Sequence, residues 1–241
     1  MAQLPRPKTK RGAVWTIAGA IVAVGVIGFV VVYFFLFPTS SPKPFGLNTS
    51  TTASAPITAS TSFTGDWKVA AGSLAGYRVR EKLAFLPAQS DAVGRTSAIT
   101  GTAGLTQSGH TVTVNTAAYT VDVSTLKSDE SMRDQHIRTI GLQSDEFPTA
   151  TFKLTKPVVL PASAFSGGVV TAPVTGVFTI HGTARQVTLP VQFQLSGAGI
   201  QAVGSLTFPW AEFGMTAPSV GGFVSVTGMA TMEFDLRLAK G

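Results

Sequence analysis

Few residues in this chain are able to do bond chemistry. It has no cysteine and three histidines, His110, His136 and His181. A thiol nucleophile, a disulfide framework and a cysteine-ligated zinc site are therefore excluded. His110 follows Gly109 and His181 precedes Gly182, both turn-forming dipeptides, while His136 stands apart from them. No His-Glu-x-x-His pair, Gly-x-Ser-x-Gly elbow or phosphate-cradling glycine loop occurs. The expectation is no catalytic residue, no metal and no cofactor. An enzyme using His136 or His181 as a base is the less favoured alternative. Asp129-Glu130 resembles a pair of catalytic acids, but acids are favoured at a helix N-terminus by the dipole alone. The remaining cluster is Arg133, His136 and Arg138. Arg133 and His136 are three apart and share a helix face, and arginine grips phosphate or carboxylate through a bidentate fork. These three are the candidate contacts for the polar group of a ligand. The rival reading pairs Arg138 with Asp134, four residues back, and leaves the others in solvent.

The elements that would carry these residues are mainly strands. From Val224 to Leu238 the even positions hold Val, Gly, Ala, Met, Phe and Leu, and the odd ones are mostly polar. That is a period of two, with one face apolar. Val187-Leu189-Val191-Phe193-Leu195, Ile200-Ala202-Gly204-Leu206-Phe208, Val174-Gly176-Phe178-Ile180 and Tyr77-Val79-Glu81-Leu83 repeat the pattern. Arg78 and Arg80, at the alternate positions, are expected on the surface. Ser-Gly and Gly-Gly turn signals separate the runs. One helix is expected near Asp129 to Thr139, capped by Ser128 or Asp129. A single short helix cannot cover a large sheet, so the apolar faces must bury one another in a sandwich or a closed barrel. Long one-sided strands favour the barrel, because closure removes the edges. Phe152, Phe178, Phe193, Phe208, Trp210 and Phe234 sit on apolar faces or at strand ends. The pattern alone leaves open whether they line a cavity or pack it shut.

The 241 residues carry a net charge of +6, which invites nucleic acid until the charge is located. Arg6, Lys8, Lys10 and Arg11 lie in the first eleven residues and Lys43 follows. From residue 63 onward 13 Lys and Arg face 12 Asp and Glu, a net of +1. A basic stripe for nucleic acid is not supported. Ala13 to Phe37 is 25 residues without a charge. As a helix it would reach ~37 Å, enough to cross a ~30 Å hydrocarbon core with tilt. The run is too long and its Phe34-Phe35-Leu36-Phe37-Pro38 end too bulky for a cleaved signal peptide. The domain reading is a basic cytoplasmic N-terminus at 1–12, a single transmembrane helix at 13–37, a linker at 38–62 and a β-domain at 63–241. The basic flank predicts a cytoplasmic N-terminus and an extracytoplasmic C-terminal domain at the cell membrane. In the linker, 19 of 25 residues are Ser, Thr, Pro or Ala, a composition suited to a spacer. Nothing in the sequence sets the oligomeric state.

A series of local motifs then runs in order through the β-domain. Gly65-Asp66-Trp67-Lys68-Val69 opens it, followed by Ser73-Leu74-Ala75-Gly76-Tyr77-Arg78-Val79, Ala92-Val93-Gly94-Arg95-Thr96 and Ile99-Thr100-Gly101. Leu126-Lys127-Ser128-Asp129 with Arg133-Asp134, Phe147-Pro148-Thr149-Ala150-Thr151-Phe152, Val174 through Gly182, and Phe213-Gly214-Met215 complete the series. In order and spacing the set resembles the YceI-like family of lipid-binding proteins over about residues 63–240. The resemblance implies an all-β, lipocalin-like closed antiparallel barrel of about eight strands with one short helix. It implies an elongated apolar cavity that binds a polyisoprenoid or similar long-chain lipid, without bond chemistry. Tyr77, Val79, Phe152, Phe178, Phe193, Phe208, Trp210 and Phe234 are the expected lining, and Arg133, His136 and Arg138 the expected head-group contacts. One departure is Glu81, where many relatives have histidine. A structural or adhesive surface domain with a filled core is the alternative reading.

Overall fold

A computed structural model describes residues 41–47, 57–58, 61–83, 89–197, 199–220 and 224–241. The basic N-terminus, the expected membrane span at 13–37 and much of the 38–62 linker lie outside the described residues. Among the described residues no helix is long and apolar enough to cross a membrane.

The strands are β1 (Gly65–Val69), β2 (Leu74–Leu83), β3 (Gln89–Thr96), β4 (Ile99–Ser108), β5 (Thr111–Asp122), β6 (Thr149–Leu154), β7 (Val158–Leu160), β8 (Val170–Ile180), β9 (Thr183–Ser196), β10 (Gly199–Phe208), β11 (Ser219–Val220) and β12 (Val224–Lys240). The path β1-β4-β5-β6-β8-β9-β10-β12 returns to β1, so eight strands close a barrel. Neighbours pair antiparallel all the way round. Two wall positions are filled by short strands laid end to end. β2 and then β1 run along β12, while β6 and β7 run along β5. The outer neighbour of β2 is β3.

Alternation explains the wall. In β9, Val187, Leu189, Val191, Phe193 and Leu195 are buried, and Thr188 and Pro190 between them are exposed. β12 is interrupted once. Its register with β2 shifts between Thr227 and Thr231, where Gly228 takes a positive φ of 76°. A bulge of this kind bends a strand and increases its twist, which lets a 17-residue strand follow the barrel.

Buried apolar side chains form two clusters. The first gathers Phe63, Trp67, Leu105, Leu160, Leu195 and Ile200. Within it Trp67 Nε1 donates to the Phe63 carbonyl at 2.9 Å, and the two rings stack at 5.8 Å. Ile57 packs against this cluster, so the folded domain begins before residue 63. The second gathers Tyr77, Val79, Ile137, Phe208, Trp210 and Phe213, with Phe208 and Phe213 edge-on at 4.6 Å.

Tyr77 lies across from Gly94, and a Cβ on Gly94 would fall 2.2 Å from its ring. Gly94→Ala is therefore expected to cost about 1–3 kcal/mol through overpacking. Urea unfolding checks this as a lower midpoint at unchanged slope.

The helix is shorter than the sequence predicts and starts later. α1 spans Ser131–His136, with Glu130 as its cap: the Glu130 carboxylate accepts from Met132 N at 3.1 Å. Ser128 acts just ahead of the helix instead: its hydroxyl oxygen accepts from Glu130 N at 3.2 Å while its proton goes to Asp134 at 2.6 Å. A wider turn at Ile137–Gly141 continues α1, closed by Leu142 N donating to the Ile137 carbonyl.

Arg78 corrects the expectation of a surface charge. It points out of the barrel, yet its side chain is only 13% exposed. It bonds Asp91 at 3.1 Å and Glu233 at 3.3 Å, and Arg95 bonds the same Glu233 at 3.0 Å. Glu233 is buried on the outer wall of β12. The cover is part of the expected spacer. Pro42 and Lys43 offer their carbonyls to Arg78 and Arg95 at 2.7 and 2.6 Å, and the Phe45 ring lies 4.0 Å from the Arg95 guanidinium. Arg80, by contrast, is 58% exposed.

Candidate functional site

The barrel encloses an apolar cavity of about 160 Å³. Leu105 of β4, Tyr119 of β5, Phe152 of β6, Phe178 of β8, Phe193 of β9 and Phe234 of β12 all face it. It exists because small side chains occupy inward positions on the same walls: Ala103, Ala117, Ala150 and Ala202. Thr151 and Glu233 are among the few polar residues on its border, and the Glu233 carboxylate is turned outward to Arg78 and Arg95. Walls of this kind stay dry and take apolar guests.

Four of the eight residues expected to line the cavity do so: Phe152, Phe178, Phe193 and Phe234. Tyr77, Val79, Phe208 and Trp210 are instead buried in the second cluster and do not border the cavity. Tyr77, Val79 and Phe208 share the inward face and Trp210 lies just past the end of β10; place along the barrel axis is a coordinate that a period of two does not encode. The sequence reading missed the alanines. Their signal is the alternation Ile99-Gly101-Ala103-Leu105 in β4, where small residues occupy inward positions.

Tyr77 Oη and Trp210 Nε1 are buried without a hydrogen-bond partner among the described residues. Ser128 lies beside the phenol and turns its hydroxyl proton to Asp134 at 2.6 Å. Burial pushes the phenols of Tyr77 and Tyr119 well above their ordinary value. The unfolded chain releases these protons near pH 10, whereas the folded chain keeps them. Above about pH 10 the unfolded state thus binds fewer protons, and stability falls as pH rises, by up to about 1.4 kcal/mol per pH unit for each phenol. Urea unfolding between about pH 9 and pH 11 should show this slope, and Tyr77→Phe should remove one phenol's share.

The three expected head-group residues do not converge. Arg133 reaches back to β2 and donates two bonds to Glu81, at 2.9 and 3.1 Å, and a further one to Asp129. Burial works against its charge, but Glu81 and Asp129 outweigh burial and hold its pKa above the ordinary value. His136 turns Nδ1 to the Met132 carbonyl at 2.7 Å. The pairing of Arg138 with Asp134 is not formed. Arg138 meets Asp145 loosely at 3.5 Å, while Asp134 accepts from the Ser128 amide and hydroxyl. A polar recess of about 270 Å³ nevertheless lies beneath α1, lined by Ser124, Lys127, Gln135 and Arg138 among others. It shares Val123 and Leu126 with the apolar cavity.

The other histidines are dispersed. His110 packs on Phe165 at 4.9 Å, and His181 Nε2 sits 2.6 Å from Gln143 Oε1. No group of His, Asp or Glu able to hold a metal occurs among the described residues.

A family model for the YceI-like domain matches residues 57–238. This chain belongs to the YceI-like family. Its matched region begins at Ile57, the residue that docks against the first cluster. A UPF0312 protein of Vibrio parahaemolyticus is 32% identical over 117 residues, which are 48% of this chain and 50% of that protein. The chain thus spans about half the length of this curated relative. Among solved structures, a polyisoprenoid binding domain from Saccharophagus degradans, implicated in plant cell wall breakdown, is 14% identical. It covers 74% of this chain and 99% of its own, at a TM-score of 0.52, and so shares the fold. Burkholderia cenocepacia BcnA is 20% identical, covering 69% of this chain and 96% of its own at a TM-score of 0.49.

Proposed function

We propose that this YceI-like protein holds a polyisoprenoid or similar long-chain lipid in its barrel, tethered to the cell membrane through residues 13–37 with the barrel outside the cytoplasm. The supporting observation is the apolar cavity: its walls carry almost no polar group, so they reward apolar chains and nothing else. Each buried CH2 contributes about 0.8 kcal/mol, and a long tail needs no elaborate polar site. The name of the Saccharophagus relative points to the same class of ligand. As it stands the cavity is near the size that accepts one benzene ring, which is one or two isoprene units. A longer chain enters by turning aside partly buried wall residues such as Phe152, Phe178 and Phe234. The polar end of the ligand then rests in the recess beneath α1, reached past Val123 and Leu126. The mechanism is sequestration or transfer, with no bond made or broken.

Mass spectrometry of an organic extract of the purified full chain tests the ligand. A recurrent polyprenyl compound is expected, and added polyprenol should be taken up by lipid-free protein. A barrel that is empty on purification and refuses polyprenol would sink the reading. Protease treatment of intact cells tests the topology, with degradation of the barrel expected from outside.

A further inference from the structure

The cavity wall carries one exception to its apolar character. Among the described residues that line it, Tyr119 of β5 alone places a polar side chain at an inward position. Thr151 and Glu233 also border the cavity, but they alternate with the inward Phe152 and Phe234 and so point outward. Tyr119 shares a rung with Phe152 of β6 and Phe178 of β8, both cavity-lining. Cross-strand partners stand on one face of a sheet, so the Tyr119 ring points into the barrel. It is partly exposed there, and what it is exposed to is the cavity. Across from it on β4 stands Gly101, where a Cβ would fall 2.5 Å from the Tyr119 ring. The ring thus lies against bare backbone on that side. The next rung in one direction pairs Ala103 with Ala117, and in the other Ala150 stands opposite Val121. These four also line the cavity, so small side chains flank the phenol and leave room beside it.

The Tyr119 hydroxyl makes no hydrogen bond to any described residue. Burial alone raises its pKa, with no charge and no hydrogen bond contributing. A hydroxyl held away from water without a partner is unfavourable. The same hydroxyl becomes a source of selectivity when a bound molecule brings the partner. A charged group is a poor match, because a phosphate or carboxylate would leave water for apolar walls with a single donor to meet it. One phenol proton matches one neutral oxygen.

We infer that Tyr119 is a specificity residue, and that the ligand carries a neutral acceptor oxygen (carbonyl, ether or hydroxyl) on the part of its chain that lies in the cavity. This rests on the lipid reading above and narrows it: a plain hydrocarbon segment leaves Tyr119 unpaired, whereas an oxygenated one accepts from Tyr119 Oη. The position of that oxygen along the chain then sets how far the chain enters. The recess beneath α1 remains the place for a charged end.

Cyclohexanone and methylenecyclohexane have one shape and differ only in C=O against C=CH2. Each is titrated into the purified full chain and into Tyr119→Phe, followed by NMR of the Ala103 and Ala117 methyl groups. Both probes should bind the parent. Cyclohexanone should bind Tyr119→Phe about tenfold more weakly than the parent, as for one lost hydrogen bond, while methylenecyclohexane should bind both proteins within about twofold. With tyrosine labelled at 13Cζ, the Tyr119 resonance is identified among the three tyrosines by its loss in Tyr119→Phe. It should move with cyclohexanone and stay in place with methylenecyclohexane. Equal weakening of both probes in Tyr119→Phe, or weakening of neither, overturns the role of Tyr119. Uptake of methylenecyclohexane alone by the parent also overturns it and leaves the lipid reading standing. A parent chain that binds neither probe overturns the lipid reading itself.

Discussion

Replacing Arg133 with alanine is expected to lower stability by about 3–5 kcal/mol, the usual cost of stranding one member of a buried ion pair. Both partners are shielded: the side chains of Arg133 and Glu81 are 11% and 9% exposed. Glu81 points inward from β2 next to Tyr77 and Val79, and its two oxygens accept the two prongs of the Arg133 fork. No water replaces the fork at low cost, so the carboxylate is left buried without its partner. The same bond ties α1 to the barrel wall, because no α1 residue is itself buried. Urea titration should therefore show a large fall in midpoint, and amide exchange should rise throughout residues 131–141. The double substitution Glu81→Leu with Arg133→Met separates pairing from packing. It removes both charges and keeps the volume, so it should recover most of the loss. Equal destabilisation in the single and double variants would refute this account.

Glu81 also marks where the sequence could have said more. An acid at the inward position of the run Tyr77-Val79-Glu81-Leu83 requires a buried cation, and Arg133 on the expected helix was available to supply it. Arg133 meets that demand through both prongs of its fork and is therefore not a free head-group contact. The strands themselves were legible because alternation is a local property: β9 follows it residue by residue from Val187 to Leu195. The shortage of helix left a sandwich or a closed barrel, and the long one-sided strands favoured closure. The outer face was not legible. Glu233 and Arg78 occupy outward positions and read as solvated, but a segment some forty to two hundred residues away covers them, and no local pattern announces it. Depth along the barrel was hidden for a related reason. Phe208 and Phe234 have equivalent alternation, yet only Phe234 borders the cavity while Phe208 packs on Phe213. The difference is set by position along the strand: Phe208 ends β10, whereas Phe234 lies inside β12 opposite Gly204, and that pairing follows from the register of the whole ring.

That register makes the cavity itself a sharp target. Ala202 faces it from the middle of β10, paired with Leu236 of β12 and Phe193 of β9. Ala202→Phe adds one phenyl group to a void close to the size that takes a benzene ring. The substituent should occupy the space rather than strain the wall, and burial of a phenylalanine side chain contributes about 1.5–3 kcal/mol against an overpacking cost of about 1–3 kcal/mol. Net stability should therefore change by no more than about 1–2 kcal/mol, while polyprenol uptake falls at least tenfold. Ser205→Ala on the exposed outer face of the same strand should leave uptake unchanged. The pair of variants decides between a working cavity and an incidental one. A barrel whose function lies only on its outside would lose nothing when Ala202 is filled. Undiminished uptake in a folded Ala202→Phe protein would place the ligand elsewhere. A fall in uptake at preserved stability ties lipid binding to the small residues that keep the barrel open.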